Sequence, residues 1–320
     1  MYYPYLRGKQ FELLALRECA KISPSGFVPI IEPVRQPLNR LKQTLADLSE
    51  ADTDAIVIAN PKYGDYRDNK DEIANLMTEF PQGKSKLYFG ILLTSEISED
   101  EIESLIANYD HQDIALIHYG FKNWSYLTKN IEINDAAQFN IFIEESSGSL
   151  YRRRYLNSNR RILIRDGFQR KRNAEYKDPN VEQFSELHVT YQDYSMSGYG
   201  DFLTIGDAYS EGGGPAYAVA IHLTYIDPDQ DDEMFVQHFV SDTNDTPTDP
   251  ARKFAEALRK LVEKLDCSDS CFEETAAVAE FRKLHEGEHF PGLGYVKKLS
   301  IMHHIETLAK YGSEKGDVNA

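Results

Sequence analysis

Long apolar runs, cysteine and tryptophan are what this chain has least of. No stretch approaches the roughly 18 consecutive apolar residues of a membrane span. The opening MYYPYLRGK carries no apolar signal-peptide core. Both absences point to a cytoplasmic protein without a membrane segment. The three cysteines, Cys19, Cys267 and Cys271, are then expected as free thiols in a reducing compartment. Basic residues are also in short supply: 35 Lys and Arg face 52 Asp and Glu, a formal net charge of −17. That balance argues against a surface that coats duplex DNA non-specifically. P-loop, dinucleotide-fingerprint and nucleophile-elbow spacings are missing as well.

What is present is alternation. Short apolar runs begin near residues 2, 27, 55, 87, 114, 139, 161 and 202, the last being Phe202–Ile205. Amphipathic segments separate them: Leu38, Leu41, Leu45 and Leu48 share one helical face, and Ser98-Glu-Asp-Glu101 reads as a capped helix start. Pro179–Tyr191 reads as a further helix. Eight such units predict an α/β fold, a (β/α)8 TIM-like barrel of parallel strands covered by helices. A doubly wound open sheet is the alternative. The pattern then changes. SEGGGP is a loop, and Ala216–Ile226 with Met234–Ser241 predicts a β-hairpin inserted after strand 8. Extra C-terminal helices follow. The expected division is a barrel over 1–265 that includes hairpin 216–241, with a helical extension over 266–320.

In a parallel barrel, chemistry gathers at the carboxyl ends of the strands. Those ends supply Arg7, Lys9, Glu32, Asn60, Lys62, Thr94, His118, Glu144, Arg165, Asp166 and Asp207. The stretch Tyr151–Arg172 adds a basic island, nine Arg or Lys against the single acid Asp166. Such an island in an acidic chain usually holds a negative ligand or an acidic patch of the same protein. Arg170, Arg172 and Asn173 follow the seventh strand, where barrels often bind phosphate, and Phe168 is placed to stack a base. The expected ligand set is therefore Arg7, Lys9, Asn60, Lys62, Arg165, Arg170, Arg172 and Asn173. Glu32, Glu144, Asp166, Asp207 and His118 are the candidate acids, bases or ligands of a divalent metal. A separate spacing, Cys267-x3-Cys271-x13-His285-x3-His289, loosely fits a zinc site. Thr275 and Arg282 stand where a finger would pack its aromatic and leucine.

The segments MYYPYLRGKQFELLALRE, VPIIEP, DGFQRKRN, GDFLTIGD and FPGLGYVKKLSIMHHIE run through nearly the whole chain. With them the chain resembles the bacterial branch of the phage "beta protein" family. The resemblance implies a prokaryotic or phage cytoplasmic protein encoded beside mobile-element or phage-defence genes. It carries no catalytic residues with it. Two functions remain open at this point. One is an enzyme that binds a phosphorylated small molecule or nucleic-acid end and hydrolyses a phosphoester. The other is a non-catalytic recognition subunit that binds a partner protein from the same operon, with the FPGLGY loop and the YVKKLSIMHH helix as the contact.

Overall fold

A computed structural model describes residues 1–23, 25–80, 85–107, 114–130, 137–158, 160–212, 214 and 216–318. Gly213 and Pro215 of the predicted SEGGGP loop lie outside the described residues. The strands are β1 (Tyr5–Leu6), β2 (Ile30–Ile31), β3 (Ala55–Ile58), β4 (Leu87–Thr94), β5 (Ile114–Tyr119), β6 (Ala137–Ile143), β7 (Arg160–Arg165), β8 (Val181–Ser185), β9 (Gly198–Asp201), β10 (Ala220–Asp227) and β11 (Glu233–Val240). Contacts divide the chain into two compact units: Met1–Asp166 with Thr190–Phe202, and Gly167–Val189 with Leu203–Ala320.

The first unit is the α/β barrel. Its eight strands run parallel in the order β1-β2-β3-β4-β5-β6-β7-β9. A parallel bridge between Tyr2 and Tyr199 joins the first strand to the last, with the Tyr3 N–H donating to the Tyr199 carbonyl at 2.8 Å. Successive strand residues point to opposite faces, so alternate positions fill the interior. Tyr3, Ile30, Ile56, Leu92, Ile117, Ile141 and Ile164 all belong to that core. The opposite parity packs beneath helices α1 (Gln10–Ile22), α2 (Asn39–Glu50), α3 (Asp71–Glu79), α4 (Glu99–Ala107) and α5 (Trp124–Asn130). In α2 the buried Leu41, Leu45 and Leu48 follow the helical period read from the sequence. The Ser98 hydroxyl accepts the Glu101 N–H at 3.2 Å, capping α4 as expected.

The closing strand is not the expected one. Gly198–Asp201 pairs with β7, whereas Leu203–Ile205 forms a 3-10 turn. Sequence pattern disfavours Gly-Tyr-Gly-Asp as a strand, but closure requires those glycines. A β-carbon on Gly200 would lie 1.9 Å from the Tyr3 carbonyl oxygen, and one on Gly198 would lie 2.6 Å from the Tyr3 ring. Gly200→Ala must push the two strands apart. We expect it to lower the unfolding free energy by about 2–3 kcal/mol, measured by urea titration followed through tryptophan fluorescence. An unchanged midpoint would show that the seam has room.

The second unit is built on an antiparallel sheet in the order β10-β11-β8. The predicted hairpin is there, in register from Ala220↔Val240 to Asp227↔Glu233. The predicted helix over Pro179–Tyr191 is instead strand β8 followed by a single helical turn, Leu187–Thr190. Val181, Phe184 and Leu187 fit a helical spacing, but the open edge of β11 captures Val181–Ser185 by pairing. Because β8 comes from the middle of the sequence, the division is not the expected one at residue 265. Hairpin, β8 and the C-terminal helices form one body. Those helices are α6 (Pro250–Leu265), α7 (Ala276–Glu286) and α8 (Leu293–Val318). Asp249 caps α6 by accepting the Arg252 N–H at 3.1 Å, and Thr275 caps α7 by accepting the Val278 N–H at 3.2 Å. Helix α8 is not an exposed contact surface along YVKKLSIMHH. His303 and His304 are fully buried, meeting the Thr224 carbonyl and hydroxyl at 2.8 Å each. Among the described residues no helix is long and apolar enough to cross a membrane.

Candidate functional site

The inward parity of β1 and β2 continues past their ends to Arg7 and Glu32. Both are buried and form an ion pair. Glu32 also accepts the Tyr5 hydroxyl at 2.9 Å and the Lys62 backbone N–H at 2.7 Å. The Arg7 guanidinium sits 4.8 Å from the Tyr5 ring and 5.2 Å from the Tyr63 ring. This carboxylate is a joint, tying three strand ends together while its oxygens are occupied. It is no acid or base awaiting a substrate, which corrects the expectation for Glu32.

Beside that joint lies an open cleft of about 340 Å³ between the loops that follow β3 and β4. Asn60, Lys62, Tyr63, Arg67, Lys70 and Thr94 are among the residues that line it. Asn60 donates to the Leu92 carbonyl at 3.0 Å and accepts the Leu92 N–H at 2.7 Å, so it locks β3 to β4 at the cleft floor. Lys62 projects its ammonium 4.3 Å from the Tyr119 ring and 5.2 Å from the Tyr63 ring. Lys70 is paired with Glu101. Lys62 and Arg67 have no carboxylate partner among the described residues. The loop turns at Gly64, whose φ of +76° and close approach to the Val34 carbonyl demand glycine.

The remaining predicted residues do not join this cleft. His118 has the outward parity of β5. It is fully buried between Tyr151, whose hydroxyl is 2.8 Å from Nδ1, and Asn140, whose Oδ1 is 3.0 Å from Nε2. Burial lowers its pKa to about 4, against the pull of the Asn140 hydrogen bond, so it is a neutral packing histidine. Glu144 takes the Arg165 Nε at 2.5 Å and lies 4.0 Å from Arg152. Arg165 is thereby engaged by the protein's own carboxylate. The Asp166 N–H donates to Glu145 at 3.2 Å, and Glu12 accepts the N–H groups of Arg7 and Lys9 at 2.9 and 3.3 Å.

Arg170, Arg172, Asn173 and Asp207 belong to the second unit. There Arg170 donates to the Ala208 carbonyl and Asn173 to the Ala218 carbonyl, each at 2.8 Å. The Arg172 N–H meets Glu175 at 3.1 Å. Phe168 is buried against His222 and Tyr176, so it offers no face to a base. The basic island is therefore split: β7 ends at Arg165, and the chain leaves the barrel just after it. Within the barrel unit, Arg152 and Arg161 are buried and bond backbone carbonyls.

The carboxylates expected to hold a divalent metal do not converge. Among the described residues no group of three or more His, Cys, Asp or Glu is arranged to hold an ion. The same finding removes the zinc set. Cys267 and Cys271 are free, their thiols directed at the Glu263 and Asp269 carbonyls. What sequence reasoning missed is Tyr63 and Arg67, and the signal was available. The loop KYGDYRDNK places two tyrosines and three cations around a glycine, directly after a barrel strand.

No family model matches the chain, and no curated protein matches it. Among solved structures, FabK from Thermotoga maritima is similar at a TM-score of 0.36 and 12% identity, over 99% of this chain and 96% of that one. So distant a likeness informs neither fold nor activity. The barrel assignment rests on the strand registers.

Proposed function

We propose that the barrel binds a phosphorylated small molecule, in the nucleotide class, in the cleft between the β3 and β4 loops. Lys62 and Arg67 contact the phosphate, and the Tyr63 ring, which lines the cleft, offers a flat surface to a base. The observation behind this reading is that Lys62 and Arg67 face the cleft without a carboxylate partner, in a chain whose net charge is −17. Asp68, Glu96 and Glu101 line the same cleft, but Glu101 engages Lys70, and Lys62 and Arg67 keep donors for a charge-assisted hydrogen bond to a ligand. Phosphoester hydrolysis has less support, since Glu32 and Glu144 are each held by an arginine. The reading is thus of a sensor or carrier of phosphorylated ligands, and the phage-family resemblance would set it in a phage-defence context.

A thermal-shift screen of nucleoside mono-, di- and triphosphates tests it. A ligand at one hundred times its dissociation constant stabilises the folded state by about 2.7 kcal/mol. Lys62→Ala and Arg67→Ala should each weaken binding roughly tenfold or more while leaving the unliganded midpoint nearly unchanged. If no phosphate compound shifts the wild type, or the double variant shifts equally, the cleft is not a phosphate site.

A further inference from the structure

The second unit contains a separate cavity of about 280 Å³, lined in part by Lys177, Asn180, Gln237, Lys260 and Lys264, with Phe239 and Val240 also lining it. Three ammonium groups on one small cavity are unexpected in so acidic a chain. They arrive from two elements. Lys260 and Lys264 are four residues apart on α6 and therefore share a face, while Lys177 ends the 3-10 turn Asn173–Lys177.

Local partners use only part of their hydrogen-bonding capacity. An ammonium has three donors. Lys177 gives one to the Asp242 carbonyl at 3.1 Å. Lys260 gives two, to the Val240 carbonyl at 2.7 Å and the Asp242 carboxylate at 2.6 Å. Lys264 gives one, a 3.4 Å contact to Asp269, whose side chain is 79% exposed. The side-chain amides of Asn180 and Gln237 have no partner among the described residues. The Asn180 backbone is nevertheless fixed, its carbonyl accepting the His238 N–H at 2.8 Å. The cavity thus presents unused donors from three cations and two amides.

We infer that this cavity is a second anion site, which takes a small multivalent oxyanion of the phosphate class, such as pyrophosphate or a phosphate monoester. Charge sets the class. Three ammoniums are opposed by Asp242, which Arg259 also approaches at 3.6 Å, and by the exposed Asp269. Lysine ammoniums act as point charges that follow a tetrahedral oxyanion, without the planar fork that guanidinium brings to carboxylates.

The site is independent of the barrel cleft, so the test removes that cleft first. Pyrophosphate is titrated calorimetrically into the Lys62→Ala/Arg67→Ala protein at fixed ionic strength. One binding event is expected, with an affinity that falls at least tenfold on adding Lys264→Glu and likewise on adding Asn180→Asp. Both substitutions lie on partly or fully exposed side chains, and circular dichroism verifies that the variants fold. No heat with pyrophosphate, unchanged affinity in both variants, or equal binding of citrate would overturn the assignment. Failure of the barrel-cleft proposal would leave this titration unaffected, because the background protein already lacks that cleft's cations.

Discussion

Glu32→Ala lowers the unfolding free energy of the barrel unit by about 3–5 kcal/mol, because it removes the carboxylate paired with a buried arginine. The Arg7 side chain is 7% exposed and that of Glu32 is 0% exposed, so the pair is broken where bulk water has little access. The Lys62 N–H and the Tyr5 hydroxyl lose their acceptor in the same step. Glu32→Gln should cost less, since an amide oxygen can still accept from both while the guanidinium charge goes uncompensated. Adding Arg7→Met to Glu32→Gln should recover most of that loss, as replacing both members of a buried pair is often neutral. The chain's single tryptophan, Trp124, lies in the barrel unit, so its fluorescence reports this transition. A Glu32→Ala protein with the wild-type urea midpoint would mean that Glu32 is not a structural joint and would restore it as a candidate for chemistry.

The same residue shows how far the sequence could be read. Strand–helix alternation and strand-end positions were legible, because a continuous apolar run such as LYFGILL can hardly be anything but a strand buried on both faces. Arg7, Glu32, Asn60 and Lys62 do meet at one end of the barrel. Their roles were not legible, because pairing depends on which neighbours share an inward parity. His118 illustrates this: one residue along, Tyr119 packs against the barrel core, while His118 turns outward under Tyr151. The eighth strand was expected at Phe202–Ile205 and lies at Gly198–Asp201, because closure favours glycine for its missing side chain, the opposite of what strand propensity rewards. The fate of Arg170 and Arg172 was hidden for a topological reason. Nothing local in DGFQRKR says that the chain leaves the barrel there, and only the pairing of β8 with β11 shows it.

Acid should unfold this protein in a window set by histidines whose charging the fold opposes. His118 lies in the barrel unit, and His222 and His303 lie in the second unit. Burial is the main cause of depression at all three, bringing His118 and His303 to about 4 and His222 to about 3. His222 is further opposed by His238, whose Nδ1 is 2.8 Å from its own. In the unfolded chain each imidazole returns to about 6.5 and binds a proton that the folded state refuses. The unfolded state therefore binds more protons between these values, so stability is full above about pH 6.5 and falls as pH drops towards 4. Each histidine costs on the order of 3 kcal/mol by the bottom of the window. Burial favours protonation of Glu182, but hydrogen bonds from Lys171 and His238 outweigh it and hold the pKa below the ordinary value. Urea titrations at pH 7.5, 6.5, 5.5 and 4.5 check this. The tryptophan-detected midpoint should fall with the slope of a single histidine, and far-ultraviolet circular dichroism should report a steeper loss from the second unit. In His118→Phe the ring can keep its stack on Phe142, now 4.6 Å away, while the titrating group is gone. The pH slope of the tryptophan signal should then flatten between 6.5 and 4.5, whatever the cost at neutral pH. A slope that persists in this variant would place the acid-sensitive group of the barrel elsewhere.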